Sequence, residues 1–347
     1  MPDDQPTPVP TPSFEWMNAD VERVRAVPGE KGMTLEAINI GRYGVIPDYW
    51  PYVDDTPRGA SPGGPVTFAS SYSINDKADV WSENAAALYE QAIQERWTSA
   101  ADIPWATLTP LPNVQERAID QICTRLSEQG FATQQVIGRW LEKIAYGYLE
   151  VKSFLATQLY DNGRHCEVFR KRALANGGGL GVESPGIWNR GLIDALKWTE
   201  AVVGMNILQG SATIILLEAL EEALDSEADR TICRLVARDQ RRHLAYGIGH
   251  LAYHLEKRPD RRDQLNVGFF RAEAAYTADL GADRPFLEAL VIVLGGAAGE
   301  EAGWRRLLDL QERQAEEYLQ SLDQAGMTEH RRSFYTAMRR PAAALGV

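Results

Sequence analysis

The sequence is poor in cysteine, in positive charge and in long apolar runs, and each shortage narrows what the chain can be. The three cysteines, Cys123, Cys166 and Cys233, are odd in number and share no metal-type spacing. That argues against a disulfide framework or a zinc site and fits reduced, mostly buried thiols. Lys and Arg number 36 against 48 Asp and Glu, for a formal charge of -12. Nucleic acid and anionic membranes, which need a basic patch, are therefore not expected as partners. The longest clean apolar run, Phe286 to Ala298, is interrupted by Glu288 and two glycines and is too short to span a bilayer. The first fifteen residues are rich in Pro and Asp, with no basic start and no apolar stretch. No signal peptide is visible, and a cytoplasmic location is expected. A Gly-rich stretch at Gly177–Gly181 lacks the strand, the Lys and the spacing of a phosphate loop.

What is present is an apolar content of 44%, enough for a sizeable core, and a twelve-residue stretch that occurs twice. Gln158–Phe169 and Val236–Gly247 both read Asp, amide, any residue, Arg, His: Asp161, Asn162, Arg164, His165 and Asp239, Gln240, Arg242, His243. Positions three or four apart share a helix face, so each copy directs an acid, an amide and an imidazole the same way.

The pattern of apolar positions predicts an all-α chain. Residues 1–76 read as an irregular, Pro- and aromatic-rich arm laid over a core, residues 77–258 as a helical bundle, and residues 259–347 as C-terminal helices packed on it. A first helix is expected over 79–97. Asn113 is the expected N-cap of a long helix to Ile144, inward at Ile119, Ile122, Leu126, Gln129, Thr133, Val136 and Trp140. A second spans 148–174, with Gln158, Asn162 and His165 on its inward face. A third spans 191–224, inward at Val202, Met205 and Gln209. A fourth, 227–257, is inward at Gln240, His243, Gly247, His250 and His254 and is stopped by Pro259. Residues 286–323 read as a fifth, bent at Gly295-Gly296, and 329–340 as a short sixth. Four long helices with polar residues in mid-stripe describe a four-helix bundle.

The repeated motif resembles the Asp-Glu-x-Arg-His signature of the ferritin-like superfamily, in the branch of ribonucleotide reductase small subunits and related di-iron oxygenases. The resemblance covers residues 80–257. It implies a bundle in which two helices each give Glu-x-x-His and two others each give a lone Glu to a pair of metal ions. It also implies an oxygen-dependent oxidoreductase of small organic molecules, with Asp161 and Asp239 orienting the histidines across the bundle. Carried over residue by residue, the six ligand positions hold Asn162, His165, Gln240 and His243. Gln209, in Leu208-Gln-Gly-Ser-Ala, stands for the third helix, and either Glu128 or Gln129 for the first.

With Gln129, all four carboxylate positions are amides. Two divalent ions a few ångströms apart need negative charge that amides do not supply, so a di-iron centre is not expected. With Glu128, a set of Glu128, His165 and His243 could hold one Fe(II) or similar ion. A haem held by one of His243, His250 and His254 is a further reading, against which the last two, near a helix C-terminus, fit a cation on the helix dipole. The expected catalytic groups are His165, His243, Asp161 and Asp239 beside a pocket lined by Gln129, Asn162, Gln209 and Gln240. A small-molecule ligand and a homodimer are the expected partners. A non-catalytic binding or partner subunit, its amide centre purely structural, is the competing reading.

Overall fold

A computed structural model describes residues 11–51, 55–61, 72–176 and 178–327, together with 334 and 338. Its regular elements are helices, and among the described residues only isolated bridges, such as Ile74 with Ile144, pair in the β manner. The elements are α1 (Leu35–Ile38), α2 (Ala85–Gln94), α3 (Asn113–Leu141), α4 (Leu149–Ala175), α5 (Ile187–Ile193), α6 (Trp198–Val202), α7 (Gln209–Ala223), α8 (Glu227–Lys257), α9 (Arg262–Ala282), α10 (Arg284–Gly295) and α11 (Glu300–Gln324). A π turn, Val203–Leu208, joins α6 to α7 in one run.

The inward stripes read from the sequence on α3, α4, the α6–α7 run and α8 are buried, apart from the half-buried Gln129. These four runs form a four-helix bundle. Two glycines set how closely they approach. A Cβ on Gly130 would come within 3.0 Å of the Asn162 carbonyl oxygen, and one on Gly247 within 2.8 Å of Asn206 Cβ. The π turn presses against α8 at Gly247 and turns Asn206 toward α4 and α8. Its run, Trp198–Ala223, has a mean hydropathy of 1.4, apolar enough to cross a membrane, and is 94% buried inside the protein. That is the composition of a core helix.

Local chemistry fixes some of the ends. Ser226 accepts from Asp229 N and starts α8, and Asp283 accepts from Phe286 N and starts α10. Asn113 is the first residue of α3 instead of its cap, because Pro112 holds the capping position. The first helix is shorter than expected, beginning at Ala85 after a 3₁₀ turn at Lys77–Asp79. The third begins as the separate α5, broken before Trp198. The single helix expected over 286–323 is two, because Gly296 and Gly299 take φ of +48° and +83° between α10 and α11. Helix α9 was not foreseen at all; only Leu265, Phe269, Glu273, Asp279 and Leu280 of its 21 residues are buried, too scattered to read as a stripe. The sixth helix expected over 329–340 lies largely outside the described residues.

Helices α9 to α11 cover α3, α5 and α7, and α2 lies over α4 and α8. The N-terminal segment rests on the end of the bundle where α3 passes into α4. There Arg58 forms an ion pair with Glu150 and donates to the Gly147 carbonyl at 2.7 Å, and the ring of Trp50 covers Gly147.

Candidate active site at the bundle centre

Helices α4 and α8 bring the two motif copies together, and each leans on the other. His165 Nε2 lies 3.0 Å from Asp239 Oδ2, and His243 Nε2 lies 3.1 Å from Asp161 Oδ2. Each arginine bridges both acids. Arg164 donates to Asp161 at 2.5 Å and to Asp239 at 2.7 Å; Arg242 donates to Asp239 at 2.5 Å and to Asp161 at 3.2 Å. None of the six side chains is more than 5% exposed. The arginines therefore pair within their own helices as well as across them. The ring of contacts is nearly symmetric.

The exception comes from beyond α2. Trp97 Nε1 donates to Asp239 at 2.8 Å, its carbonyl accepts from Arg164, and its ring lies 4.3 Å from that guanidinium. Glu95 takes the other arm of Arg242 at 2.9 Å. Asp239 thus accepts from four side chains and Asp161 from three. Burial alone would raise the pKa of Asp239, but the hydrogen bond from His165 and the charges of Arg242 and Arg164 hold it well below the usual carboxylate range. Burial pushes His243 below the usual histidine value, against the pull of Asp161. Two carboxylates and two guanidiniums cancel, and with neutral imidazoles the six side chains carry no net charge.

A carboxylate accepts, so the ring nitrogen that faces it carries the proton. In a neutral imidazole Nδ1 is then a lone pair. His165 Nδ1 is buried and has no hydrogen-bond partner among the described residues. The two rings stand with centroids 6.1 Å apart.

Three of the four amides expected around this centre, Gln129, Gln209 and Asn162, are engaged with protein. Gln129 donates to Thr213 Oγ1 at 2.7 Å. Gln209 donates to Thr133 Oγ1 at 3.0 Å and accepts from Trp188 Nε1 at 2.6 Å. Asn162 donates back to the Gln158 carbonyl at 2.8 Å, and Gln240 is buried on α8. Behind His243, Asn206 donates to its carbonyl at 2.9 Å and accepts from Gln158 at 2.9 Å. Glu128 turns away. Its carboxylate accepts from Ser184 N at 3.2 and 3.3 Å, so the one-carboxylate set of Glu128, His165 and His243 is not assembled.

Among the described residues no group of three or more His, Cys, Asp or Glu is placed to hold a metal ion. The side chains at the ligand positions that the resemblance implies do not fit a pair of divalent ions. Two imidazoles and four neutral amides cannot balance such charge, and both nearby aspartates are taken by arginines and histidines.

His250, toward the C-terminus of α8, differs from expectation. His250 accepts or donates at both ring nitrogens, with Trp81 O and Thr199 Oγ1 each at 3.0 Å. It has no nitrogen left for haem iron, and burial lowers its pKa to about 3, so it is not a cation on the helix dipole. His254 is held through Nδ1 by the Ala78 carbonyl at 2.8 Å. Glu95 and Asn206 were not singled out from sequence. Trp97, which with Asp102-Ile-Pro-Trp105 resembles the lead-in of some ferritin-like proteins, stands 142 positions from the aspartate it contacts, a contact that its sequence neighbours do not announce.

No family model matches the sequence, and no curated protein does. Similar solved structures include an R2-like ligand-binding oxidase variant with an aerobically reconstituted Mn/Fe cofactor. It has 14% identity and a TM-score of 0.46 over 76% of this chain and 92% of that one. Another, an R2-like ligand-binding oxidase with an aerobically reconstituted metal cofactor after photoconversion, has 16% identity and a TM-score of 0.44 over 76% and 91%. The likeness is one of helical arrangement, and the cofactors are those of the proteins named.

Proposed function

We propose that the chain is a ferritin-like protein of oxidoreductase type that takes a small organic molecule at its centre, using two aspartate-held imidazoles where relatives hold a pair of metal ions. The observation that carries this is His165 Nδ1, a buried lone pair with no partner among the described residues. Leaving such a group unmade costs about 1–3 kcal/mol, a cost that a bound donor would remove. Asp239 fixes the tautomer and stabilises the imidazolium, so His165 can accept a proton from a bound molecule, with His243 and Asp161 as the matching unit. Asn206 and Gln158 hold the backbone of His243 in place. A cytoplasmic location and a homodimer belong to the same proposal.

A second reading, a non-catalytic binding or partner subunit, draws support from the amides, which are bonded to Thr213, Thr133, Trp188 and the Gln158 carbonyl. The deciding experiment is the metal content and visible spectrum of protein purified from iron-fed cells, with His165→Ala prepared alongside. Two metal ions per chain would overturn the argument from the amides, and a Soret band would replace it with a haem protein. Colourless protein whose small-molecule binding is lost in a folded His165→Ala variant supports the first reading. Binding or activity indifferent to that change supports the second.

A further inference from the structure

Helix α9 is the most lightly anchored of the helices that cover the bundle from the C-terminal side. Of its 21 residues five are buried, against eight of 12 in α10 and ten of 25 in α11. Its two halves are held differently. Toward the C-terminus Asp279 accepts from Trp188 N at 3.2 Å and forms an ion pair with Arg125, which also holds Asp283 at 2.8 Å. The first turns are tied to α11 and the turn beyond it. Arg262, at the surface, donates to the Gly326 carbonyl at 2.8 Å, and Tyr318 of α11 donates to Glu273 at 2.9 Å. Glu273 is 5% exposed and Tyr318 1%. The charged groups of the neighbouring elements are turned to other partners: Arg125 of α3 to Asp279 and Asp283, Arg190 of α5 to Asp194, Arg284 of α10 to Glu288, Arg261 to Asp260, and Arg313 of α11 to Glu218. Glu200 of α6 lies beside α9, where a Cβ on Gly268 would stand 3.5 Å from its Cγ. On α9 itself Asp263 and Arg271 are exposed. Among the described residues only Tyr318 bears on Glu273, and no cation is placed to meet its ionised form.

Beneath α9 lies a cavity of about 30 Å³, lined from α9 by Tyr276 and Leu280 and from the other side by Trp188, Gln129, Thr213 and Gln311. Tyr276 meets Trp188 edge to face, with ring centroids 5.2 Å apart. Gln311 is 1% exposed, and neither atom of its amide makes a hydrogen bond among the described residues. The cavity thus runs from the underside of α9 to Gln129 on α3. We propose that residues 262–276 form a lid over this cavity, hinged at the Asp279 anchor and latched by the Glu273–Tyr318 bond, and that ionisation of Glu273 releases it. Burial raises the pKa of Glu273 to about 7 in the closed position, and opening returns the group to water and its ordinary value of 4.5. The closed lid keeps a proton that the open one gives up. Closure therefore weakens as pH rises from 4.5 to about 7 and changes little above that. The lid is independent of what His165 does and goes beyond the function proposed for the centre.

The test is hydrogen–deuterium exchange of the full chain across pH 5 to 9, with each rate divided by the intrinsic exchange rate at that pH. Amides in residues 262–276 should open more readily than those of α4 and α8 at every pH, and their opening should be nearly indifferent to low urea, because a local opening exposes little surface. Their opening constant should rise about tenfold between pH 6 and pH 8 and level off beyond. Glu273→Gln should remove that rise. Tyr318→Phe should enlarge it, since a hydroxyl stabilises a carboxylate more than a neutral acid. Residues 262–276 exchanging only as slowly as α8, an opening that does not change with pH, or the same rise in Glu273→Gln as in the parent would each overturn the lid. A rise flattened by Tyr318→Phe would do so too, which keeps the test decisive if Glu273→Gln does not fold. Metal content and small-molecule binding, on which the reading of His165 depends, are measured separately, so either can fail alone.

Discussion

At the scale of the residue, the centre is governed by how many donors each aspartate serves. Asp239 accepts from Trp97, Arg164, His165 and Arg242, and Asp161 only from the two arginines and His243. Removing one charge of a buried set leaves its partners uncompensated, at about 3–5 kcal/mol. Asp239→Asn is therefore expected to lower stability by about that much, and by more than Asp161→Asn, in urea melts followed by circular dichroism. Equal losses would show that the extra indole contact carries no weight.

A second residue-level expectation concerns Glu273, 5% exposed and bonded by Tyr318 at 2.9 Å. Burial raises its pKa to about 7, only partly opposed by that hydroxyl. The folded state then keeps a proton that the unfolded chain releases above pH 4.5, so stability is lost as pH rises from about 4.5 to 7. Glu273→Gln should be more stable than the parent by about 2–3 kcal/mol at pH 8 and nearly equal to it at pH 4.5. His250 works in the opposite sense. Its pKa is lowered to about 3 by burial, so its contribution is present above pH 6.5 and is lost as pH falls toward 3, a loss that His250→Asn should blunt.

At the scale of the element, close packing separates glycines that a sequence cannot distinguish. On α8, a Cβ at Gly247 would meet Asn206 and Ile207 at 2.8 and 3.0 Å, whereas one at Gly138 on α3 meets only Leu159 Cδ1 at 3.8 Å. Gly247→Ala should cost about 1–3 kcal/mol by overpacking the π turn. Gly138→Ala should stabilise by about 0.5–1 kcal/mol through helix propensity. Thermal melts of the two variants moving in the same direction would refute this account of the bundle's spacing.

The elements also show what could be read in advance. The stripes of α3, α4, the α6–α7 run and α8 were legible because mid-stripe polar residues kept a helical period, and the doubled Asp-amide-x-Arg-His motif named the acids and imidazoles of the centre. Helix α9 was not legible, because its buried positions include Glu273 and Asp279, which no apolar count registers. Nor was the choice at Glu128 and Gln129. A step of one residue rotates a helix position by about 100°, and only the bond from Ser184 N shows that Glu128 points outward. Trp97 and Asn206 join the centre through tertiary contacts with no local pattern. The roles of His165 and His243 rest on the experiments above.

At the scale of the whole molecule, the centre ties together parts distant in the chain: the segment after α2, the two motif helices and, through Asn206, the π turn. Its two acids and two guanidiniums balance one another in charge. A bundle that left several carboxylates facing one another would need a counter-ion before it could pack, and its maturation would depend on metal supply. This chain is expected to reach its folded state in a metal-starved cell as readily as in a replete one. Yield and melting temperature should be the same with and without a strong chelator throughout growth and purification.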